Sequence, residues 1–129
     1  MIAEDSVLLE KMLCDLLKKA GYNKLMIVEN GCEAYDVVCQ CKAGGTLNTW
    51  VNCIITDIEV PRMDGLSLIK LLKSDEATAH IPIVVFTSRL NEEMRKTAEN
   101  LGVDAFLTKS EMGIMVKTLD HLLLDMNLK

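Results

Sequence analysis

The fold is decided by residues 51–65, Val-Asn-Cys-Ile-Ile-Thr-Asp-Ile-Glu-Val-Pro-Arg-Met-Asp-Gly. The first part of this stretch is apolar and β-branched, as in a strand that is buried on both faces. The strand ends at the carboxylate of Asp57, Pro61 prevents further ladder pairing, and Asp64 with Gly65 indicates a turn into a helix. We therefore predict a central parallel strand with an acid at its carboxyl end, where open α/β sheets bind ligands. Asp57 alone is equally consistent with a solvated acid.

The composition indicates one globular domain. The chain has 129 residues, of which 50% are hydrophobic and 26% are charged, enough to bury a sizeable core. The net charge of -5 argues against a protein that binds nucleic acid through electrostatic attraction. No apolar run reaches membrane length and no signal peptide is visible, so we expect a cytoplasmic protein that binds no membrane.

The cysteines do not suggest a metal site or a disulfide framework. They occupy positions 14, 32, 39, 41 and 53, an odd number without zinc-type spacing. Several stand at apolar positions, which favours reduced, buried thiols.

Strand and helix patterns alternate along the chain. The hydrophobic periodicity predicts strands at 1–3, 24–29, 51–57, 81–86 and 105–107, and helices at 7–20, 33–41, 66–74, 91–101 and 111–126. Residues 30–31 are predicted as a turn and 42–50 as a long loop at the sheet end opposite Asp57. This order predicts the α/β class, a single doubly wound, five-stranded parallel sheet covered by helices on both faces. Without repeat or linker, residues 1–129 form one domain.

Polar side chains follow four of the predicted strands. They are Glu4 and Asp5 after the first strand, Asp57 after the third, Thr87 and Ser88 after the fourth, and Lys109 after the fifth. The carboxyl ends of parallel strands share one edge of the sheet, so these groups should converge. Clustered carboxylates repel one another unless a cation is present, and oxygen ligands suit Mg²⁺. A carboxylate nucleophile, a cation, a lysine and a hydroxyl are what phosphoryl transfer requires, with Asp57 attacking in line.

The motifs Glu4-Asp5-Ser6, residues 57–65, Thr87-Ser88 and Lys109 together resemble the receiver domain of two-component response regulators. The resemblance covers essentially the whole chain. Residues 57–65 and the long loop before Trp50 most resemble chemotaxis receivers, CheY-like or CheV-like, including those attached to coupling proteins. The resemblance implies the flavodoxin-like strand order 2-1-3-4-5.

The resemblance also implies the site chemistry. Asp57 would accept a phosphoryl group from a histidine kinase. Mg²⁺ would be held by Glu4, Asp5, Asp57 and the backbone carbonyl of Glu59. The domain would not be an enzyme beyond its own phosphorylation and dephosphorylation.

The resemblance assigns the remaining roles to three residues. Lys109 would pair with the phosphoryl group, and Thr87 would bind one of its oxygens and, by moving, let Phe106 turn inward. Phe106 lacks the tyrosine hydroxyl of some relatives, and Ser110 stands where the family often has a proline after a cis bond. Only residues 1–3 precede the acids, whereas this strand normally has several more residues, so we expect a first strand shortened at its amino end.

Two charged residues are predicted to control the phosphoryl lifetime. Glu59 lies two positions after Asp57 and Arg89 two after Thr87, both beyond the ends of neighbouring strands. Opposite charges there could meet across the phosphoryl group and obstruct the attacking water. The alternative is two unrelated, solvated side chains.

The output surface is predicted on three consecutive elements. They are the helix that begins at Asn91 and ends at Leu101, the strand at Phe106, and the helix that begins at Glu111 and ends at Met126. Val116, Leu123 and Leu124 would add apolar surface to that last helix, which suits a partner. The alternative is that they widen its core-facing stripe.

Three other functions fit part of the pattern. Asp57 and Glu59 resemble the paired acids of haloacid-dehalogenase-type phosphatases, but Pro61 and the lack of a cap domain disfavour that class. A flavodoxin-like flavin carrier would need a Ser, Thr or Gly loop after the first strand, where this chain has acids. A receiver-like interaction module that is never phosphorylated would not need the complete set of acids, hydroxyl and lysine.

Overall fold

The computed structural model describes residues 1–58, 65–88 and 91–123, and the structural statements below refer to these residues. The elements in chain order are β1 (Ile2–Ala3), α1 (Val7–Lys19), β2 (Ile27–Val28), α2 (Gly31–Ala43), α3 (Leu47–Trp50), β3 (Ile54–Thr56), α4 (Gly65–Lys73), β4 (Ile83–Thr87), α5 (Glu92–Leu101), β5 (Ala105–Thr108), a 3₁₀ segment (Lys109–Ile114) and α6 (Met115–Leu122).

The five strands form one parallel sheet in the order β2-β1-β3-β4-β5. In the register, Ile2 lies opposite Ile55, Ile55 opposite Val84, and Val84 opposite Ala105. The predicted fold class and strand order are therefore confirmed. Because all strands run the same way, their carboxyl ends meet at one edge of the sheet.

Two hydrophobic cores cover the two faces of the sheet. Side chains alternate along the strands, so that Ile54 belongs to one core and Ile55 to the other. The first core is closed by Ala34, Val38, Leu68, Ile69, Leu72 and Ala98 from α2, α4 and α5. The second is closed by Leu13, Leu17, Met115 and Leu119 from α1 and α6. Burial of strands on both faces explains their continuous apolar runs.

The local structure differs from the sequence prediction at two connections. Asn30 is not part of a turn: its side-chain oxygen accepts a hydrogen bond from the Glu33 amide at 2.9 Å and caps α2. Asn serves equally in turns and at helix N-caps, so the pattern alone did not decide. The predicted loop at 42–50 contains the short helix α3, and Leu47 of that helix is buried in the first core.

The predicted last helix is divided in two. The 3₁₀ segment precedes α6, and the Thr108 backbone N–H and hydroxyl both donate to the Glu111 carboxylate at 3.0 Å. Leu123, predicted as extra apolar surface, is instead buried in the second core, against which Val116 also packs. Leu123 lies four positions after Leu119, on the same helical face. The core-facing alternative is correct for this pair, and Leu124 and Met126 lie outside the described residues.

The predicted buried thiols are only partly confirmed where the structure describes the chain. All five cysteines are free thiols, four of them partly buried and Cys39 exposed. Among the described helices, none is long and apolar enough to cross a membrane.

Candidate functional site

Three buried polar side chains lie at the carboxyl edge of the sheet. Glu4 follows β1, Asp57 follows β3 and Thr87 is the last residue of β4, and each residue is at most 4% exposed. Lys109 follows β5 and its side chain is 13% exposed. The order 2-1-3-4-5 places β1, β3, β4 and β5 side by side, which brings these groups to one place.

Lys109 joins the two acids. Its Nζ donates a hydrogen bond to Asp57 Oδ2 at 2.6 Å and lies 2.6 Å from Glu4 Oε1. The contact with Glu4 is an ion pair without hydrogen-bond geometry, so this buried oxygen has no hydrogen-bond partner among the described residues. The Nζ also lies 6.0 Å from the ring centroid of Phe86. Among the described residues, the Lys109 ammonium group therefore lies between the two buried carboxyl groups of Glu4 and Asp57.

Burial and charge pairing oppose each other in this cluster. Burial raises the pKa of Glu4, and the close contact with the Lys109 ammonium group only partly offsets that effect. Burial lowers the pKa of Lys109, but its hydrogen bond to Asp57, its contact with Glu4 and the charges of both acids outweigh that effect, so that the pKa of Lys109 is raised. Lys109 is therefore cationic at neutral pH and is the counter-charge of the site.

Backbone contacts fix the position of Asp57. Its N–H donates to the Ala3 carbonyl at 3.2 Å, and its own carbonyl accepts from the Thr56 hydroxyl at 3.0 Å. A Cβ on Gly65 would stand 2.5 Å from the Asp57 carbonyl oxygen and 2.7 Å from the Ile58 Cα. Gly65 is thus required by the close approach of α4, whereas the sequence indicated only a turn. Its place directly before a helix, after a strand-end acid, was the available signal.

The other predicted site residues are less closely associated. Asp5 is exposed, and Ser6 caps α1 by accepting from the Leu9 amide at 3.4 Å while its own N–H donates to Glu4 Oε2 at 3.3 Å. Ser88 is also exposed.

Phe106 is half-buried and packs against the first core from β5. The peptide bonds of the described residues contain no cis bond, so Lys109–Ser110 is trans and the missing proline requires no strained bond. Glu59 and Arg89 lie outside the described residues, and their predicted pairing stays a prediction.

The residues partly fit a divalent cation. The described residues contain no group of three or more Asp, Glu, His or Cys that could hold a metal. The carboxylate oxygens of Glu4 and Asp57 nevertheless meet at one cationic group, the Lys109 ammonium. One of the Glu4 oxygens also lacks a hydrogen bond among the described residues. Oxygen donors of this kind suit Mg²⁺, which retains several waters and needs few protein ligands. The donor chemistry of Glu4 and Asp57 thus fits this cation, whereas Asp5 is exposed and Glu59 lies outside the described residues.

Comparison with known proteins identifies the class. The chain matches the family described as the response regulator receiver domain over residues 1–120. It therefore belongs to this family, whose members are signalling modules of two-component systems. The predicted family is confirmed, in place of the phosphatase and flavin-carrier classes.

The relatives include chemotaxis proteins. The chain is 29% identical over 109 residues to chemotaxis protein CheY1 of Helicobacter pylori, covering 84% of this chain and 82% of that protein. It is 30% identical over 112 residues to chemotaxis protein CheV2 of the same organism, covering 87% and 34%. It is 31% identical over 116 residues to the gliding motility regulatory protein of Myxococcus xanthus, covering 90% and 14%. The chain thus spans about a seventh of that last protein.

A solved receiver structure agrees with the fold. The Mn²⁺-bound form of response regulator Rcp1 superposes with a TM-score of 0.79 at 25% identity, covering 96% of this chain and 92% of that one.

Proposed function

We propose that this domain receives a phosphoryl group on Asp57 from a histidine kinase in a chemotaxis-type phosphorelay. The observation that carries the proposal is the buried contact of Lys109 with Asp57 at the carboxyl edge of the sheet. A carboxylate beside a fixed ammonium can attack a phosphorus atom while the cation attracts the phosphoryl oxygens. The relatives named as chemotaxis proteins support the type of pathway.

Glu4, Asp5, Asp57 and the backbone carbonyl of Glu59 would hold Mg²⁺. The bound cation would neutralise negative charge on the phosphoryl oxygens. The Mn²⁺-bound relative supports a divalent cation at such a site. Lys109 would then transfer its ammonium contact from the Asp57 carboxylate to the phosphoryl group, and the Thr87 hydroxyl would donate to a phosphoryl oxygen.

The switch would run from Thr87 to Phe106. These residues lie on neighbouring strands, and Phe106 is only half-buried, so complete burial does not fix its side chain in one position. The movement would reshape the face formed by α5, β5 and the chain from Glu111 to Met126, where an output protein or domain would bind. We place this activity in the cytoplasm, with no direct binding of nucleic acid or membrane.

Phosphorylation of purified variants tests the proposal. With Mg²⁺ and a small phosphodonor, the wild-type protein should gain one base-labile phosphoryl group, measured by intact mass. Asp57→Asn should gain none, because the amide is not a nucleophile. Asp15→Asn, an exposed position on α1, is the matched control and should behave as the wild type. Phosphorylation of Asp57→Asn at the wild-type rate would show that the site assignment is wrong.

The lifetime of the phosphoryl group tests the proposed pairing of Glu59 with Arg89. An exposed ion pair contributes about 0–1 kcal/mol, so it can obstruct water without closing the site. A barrier contribution of about 1.4 kcal/mol would lengthen the lifetime about tenfold. Glu59→Asn and Arg89→Ala should each speed decay of the purified phosphoprotein, and the double variant should add little. Unchanged decay in both single variants, or fully additive effects, would exclude the pairing.

A further inference from the structure

Lys109 is held in the site from one side of the sheet. It directly follows β5, which pairs with β4 and, within the described residues, with no further strand. Asp57, by contrast, follows β3, which pairs with both β1 and β4. The stem of a lysine is long and flexible, so the place of the Lys109 Nζ depends on where the backbone holds the residue. A second anchor at the end of β5 would therefore matter for the 2.6 Å contacts of this Nζ with Asp57 and Glu4.

The Glu111 carboxylate provides such an anchor. Thr108 donates its backbone N–H and its hydroxyl to Glu111 Oε1, both at 3.0 Å. The Thr108 hydroxyl also lies 2.8 Å from the Ser110 hydroxyl, with which it shares a hydrogen bond. Side chains thus tie together the residues on both sides of Lys109, and Lys109 lies inside the closed loop.

The backbone bends at the residue whose side chain reaches back. Glu111 has φ −98° and ψ 20°, in the bridge region between the helical and extended conformations. Its carboxylate returns to Thr108, the last residue of β5. In the register, Thr108 lies opposite Thr87, whose hydroxyl would bind the phosphoryl group. The anchor therefore lies directly beside the site, although Glu111 itself is exposed.

Charge strengthens this anchor at neutral pH. The hydrogen bonds from Thr108 and the positive charge of Arg95 on α5 hold the pKa of Glu111 below its usual value. Glu111 is therefore ionised, and an ionised acceptor makes stronger hydrogen bonds than a neutral one. Both bonds to Thr108 consequently favour the closed loop around Lys109.

We propose that Glu111 is a positioning residue of the phosphoryl-transfer site. Acting through Thr108, it holds the Lys109 backbone where the ammonium group reaches Asp57. The inference deepens the proposed function and rests on it for the effect on the phosphorylation rate. The position of the Lys109 ammonium group is measured separately, in unphosphorylated protein.

The chain contains a matched control at the end of β2. Glu33, in the first turn of α2, accepts the Glu29 N–H at 3.3 Å, so an exposed glutamate again reaches back to the backbone after a strand. The strands β2 and β5 are the two outermost strands of the sheet, and none of the residues assigned to the site follows β2. Glu33→Ala therefore removes the same charge and the same kind of contact far from Lys109.

The test compares Glu111→Ala, which removes the acceptor, with Glu111→Gln, which keeps a carbonyl oxygen, and with Glu33→Ala. In unphosphorylated protein, Glu111→Ala should speed hydrogen exchange of the Thr108 amide about tenfold. It should also shift the NMR signal of the Lys109 ammonium group, which is assigned by its loss in Lys109→Met. With Mg²⁺ and a small phosphodonor, Glu111→Ala should slow phosphorylation of Asp57 about fivefold, because the ammonium group is less well placed. Glu111→Gln should recover most of each effect, and Glu33→Ala should match the wild type in all three measurements.

Three results would overturn the proposal. The first is an unshifted Lys109 signal, or phosphorylation at the wild-type rate, in Glu111→Ala. The second is an equal effect of Glu111→Ala and Glu111→Gln, because the charge rather than the hydrogen bonds would then be responsible. The third is an equal effect of Glu33→Ala and Glu111→Ala. If the wild-type protein gains no phosphoryl group, the proposed function fails, whereas the Lys109 signal still decides whether Glu111 positions this lysine.

Discussion

Replacing Lys109 with methionine should strongly destabilise the protein, because it removes a cation that contacts two buried carboxyl groups. Methionine keeps the length and apolar stem of lysine without its charge. The Lys109 side chain is 13% exposed, and those of Glu4 and Asp57 are 3% and 5% exposed. Breaking a buried ion pair by removing one partner typically costs about 3–5 kcal/mol.

The geometry gives a similar magnitude. Both acid oxygens lie 2.6 Å from the same Nζ, so they are at most about 5 Å apart, and two charges at that distance repel by roughly 3 kcal/mol at an effective dielectric constant of 20. We therefore expect Lys109→Met to lower the free energy of unfolding by about 3 kcal/mol in metal-free buffer at pH 7. Glu4→Gln in the same chain should recover much of the loss, since it removes the repulsion between the two acids that contact Lys109.

The chain contains a matched control for burial. Lys42 Nζ lies 2.6 Å from Asp75 Oδ2, the same distance, but these side chains are 47% and 36% exposed. Lys42→Met should therefore cost no more than about 1 kcal/mol. Both variants remove one lysine–aspartate contact and one positive charge, and Lys109→Met also removes the contact with Glu4, so their difference measures the effect of burial together with that of the second acid.

Urea unfolding followed by far-ultraviolet circular dichroism measures both losses. Equal losses in the free energy of unfolding from Lys109→Met and Lys42→Met would refute the role assigned to the buried Lys109 contacts. A further loss of stability, rather than a recovery, when Glu4→Gln is added to Lys109→Met would refute it as well.

Two further predictions concern a close backbone contact and a buried thiol. Gly65→Ala should lower the free energy of unfolding by about 1–3 kcal/mol, because the added Cβ would stand 2.5 Å from the Asp57 carbonyl oxygen. Gly113→Ala is the control, since a Cβ on Gly113 meets nothing within 4 Å. Equal losses from the two alanine variants would show that the close contact at Gly65 is not the cause. Burial raises the pKa of the Cys53 thiol to about 11, so at pH 8 it should react with a thiol reagent more slowly than exposed Cys39, as peptide mass mapping would show. Since the folded state keeps this proton longer than the unfolded chain, the thiol's stabilising effect is complete below about pH 8.5 and falls as the pH approaches 11. Between these pH values, Cys53→Ala should therefore lose less stability than the wild type. If the variant and the wild type lose the same stability on raising the pH, the Cys53 thiol is not the cause of the loss.

The sequence by itself determined the fold class, because the relevant signals are local. The apolar run before Asp57 and the helical spacing from Val7 onward depend only on neighbouring residues and on the two periods of 2 and 3.6. Positions of candidate site residues followed from one topological rule, that parallel strands end at the same edge. The contact of Lys109 with Asp57, 52 positions away in the chain, could therefore be anticipated.

Contacts between residues that are distant in the chain, and the burial that results from them, could be read from the tertiary structure alone. Leu123 is buried because α6 packs on the sheet, although its helical pattern alone also fitted an exposed patch. Gly65 is required by the approach of α4 to the Asp57 carbonyl, a contact between elements that no local pattern records. Glu4 rather than Asp5 contacts Lys109 because successive residues after a strand point in different directions. Local periodicity specifies which residues form elements, whereas the packing of those elements determines which atoms meet.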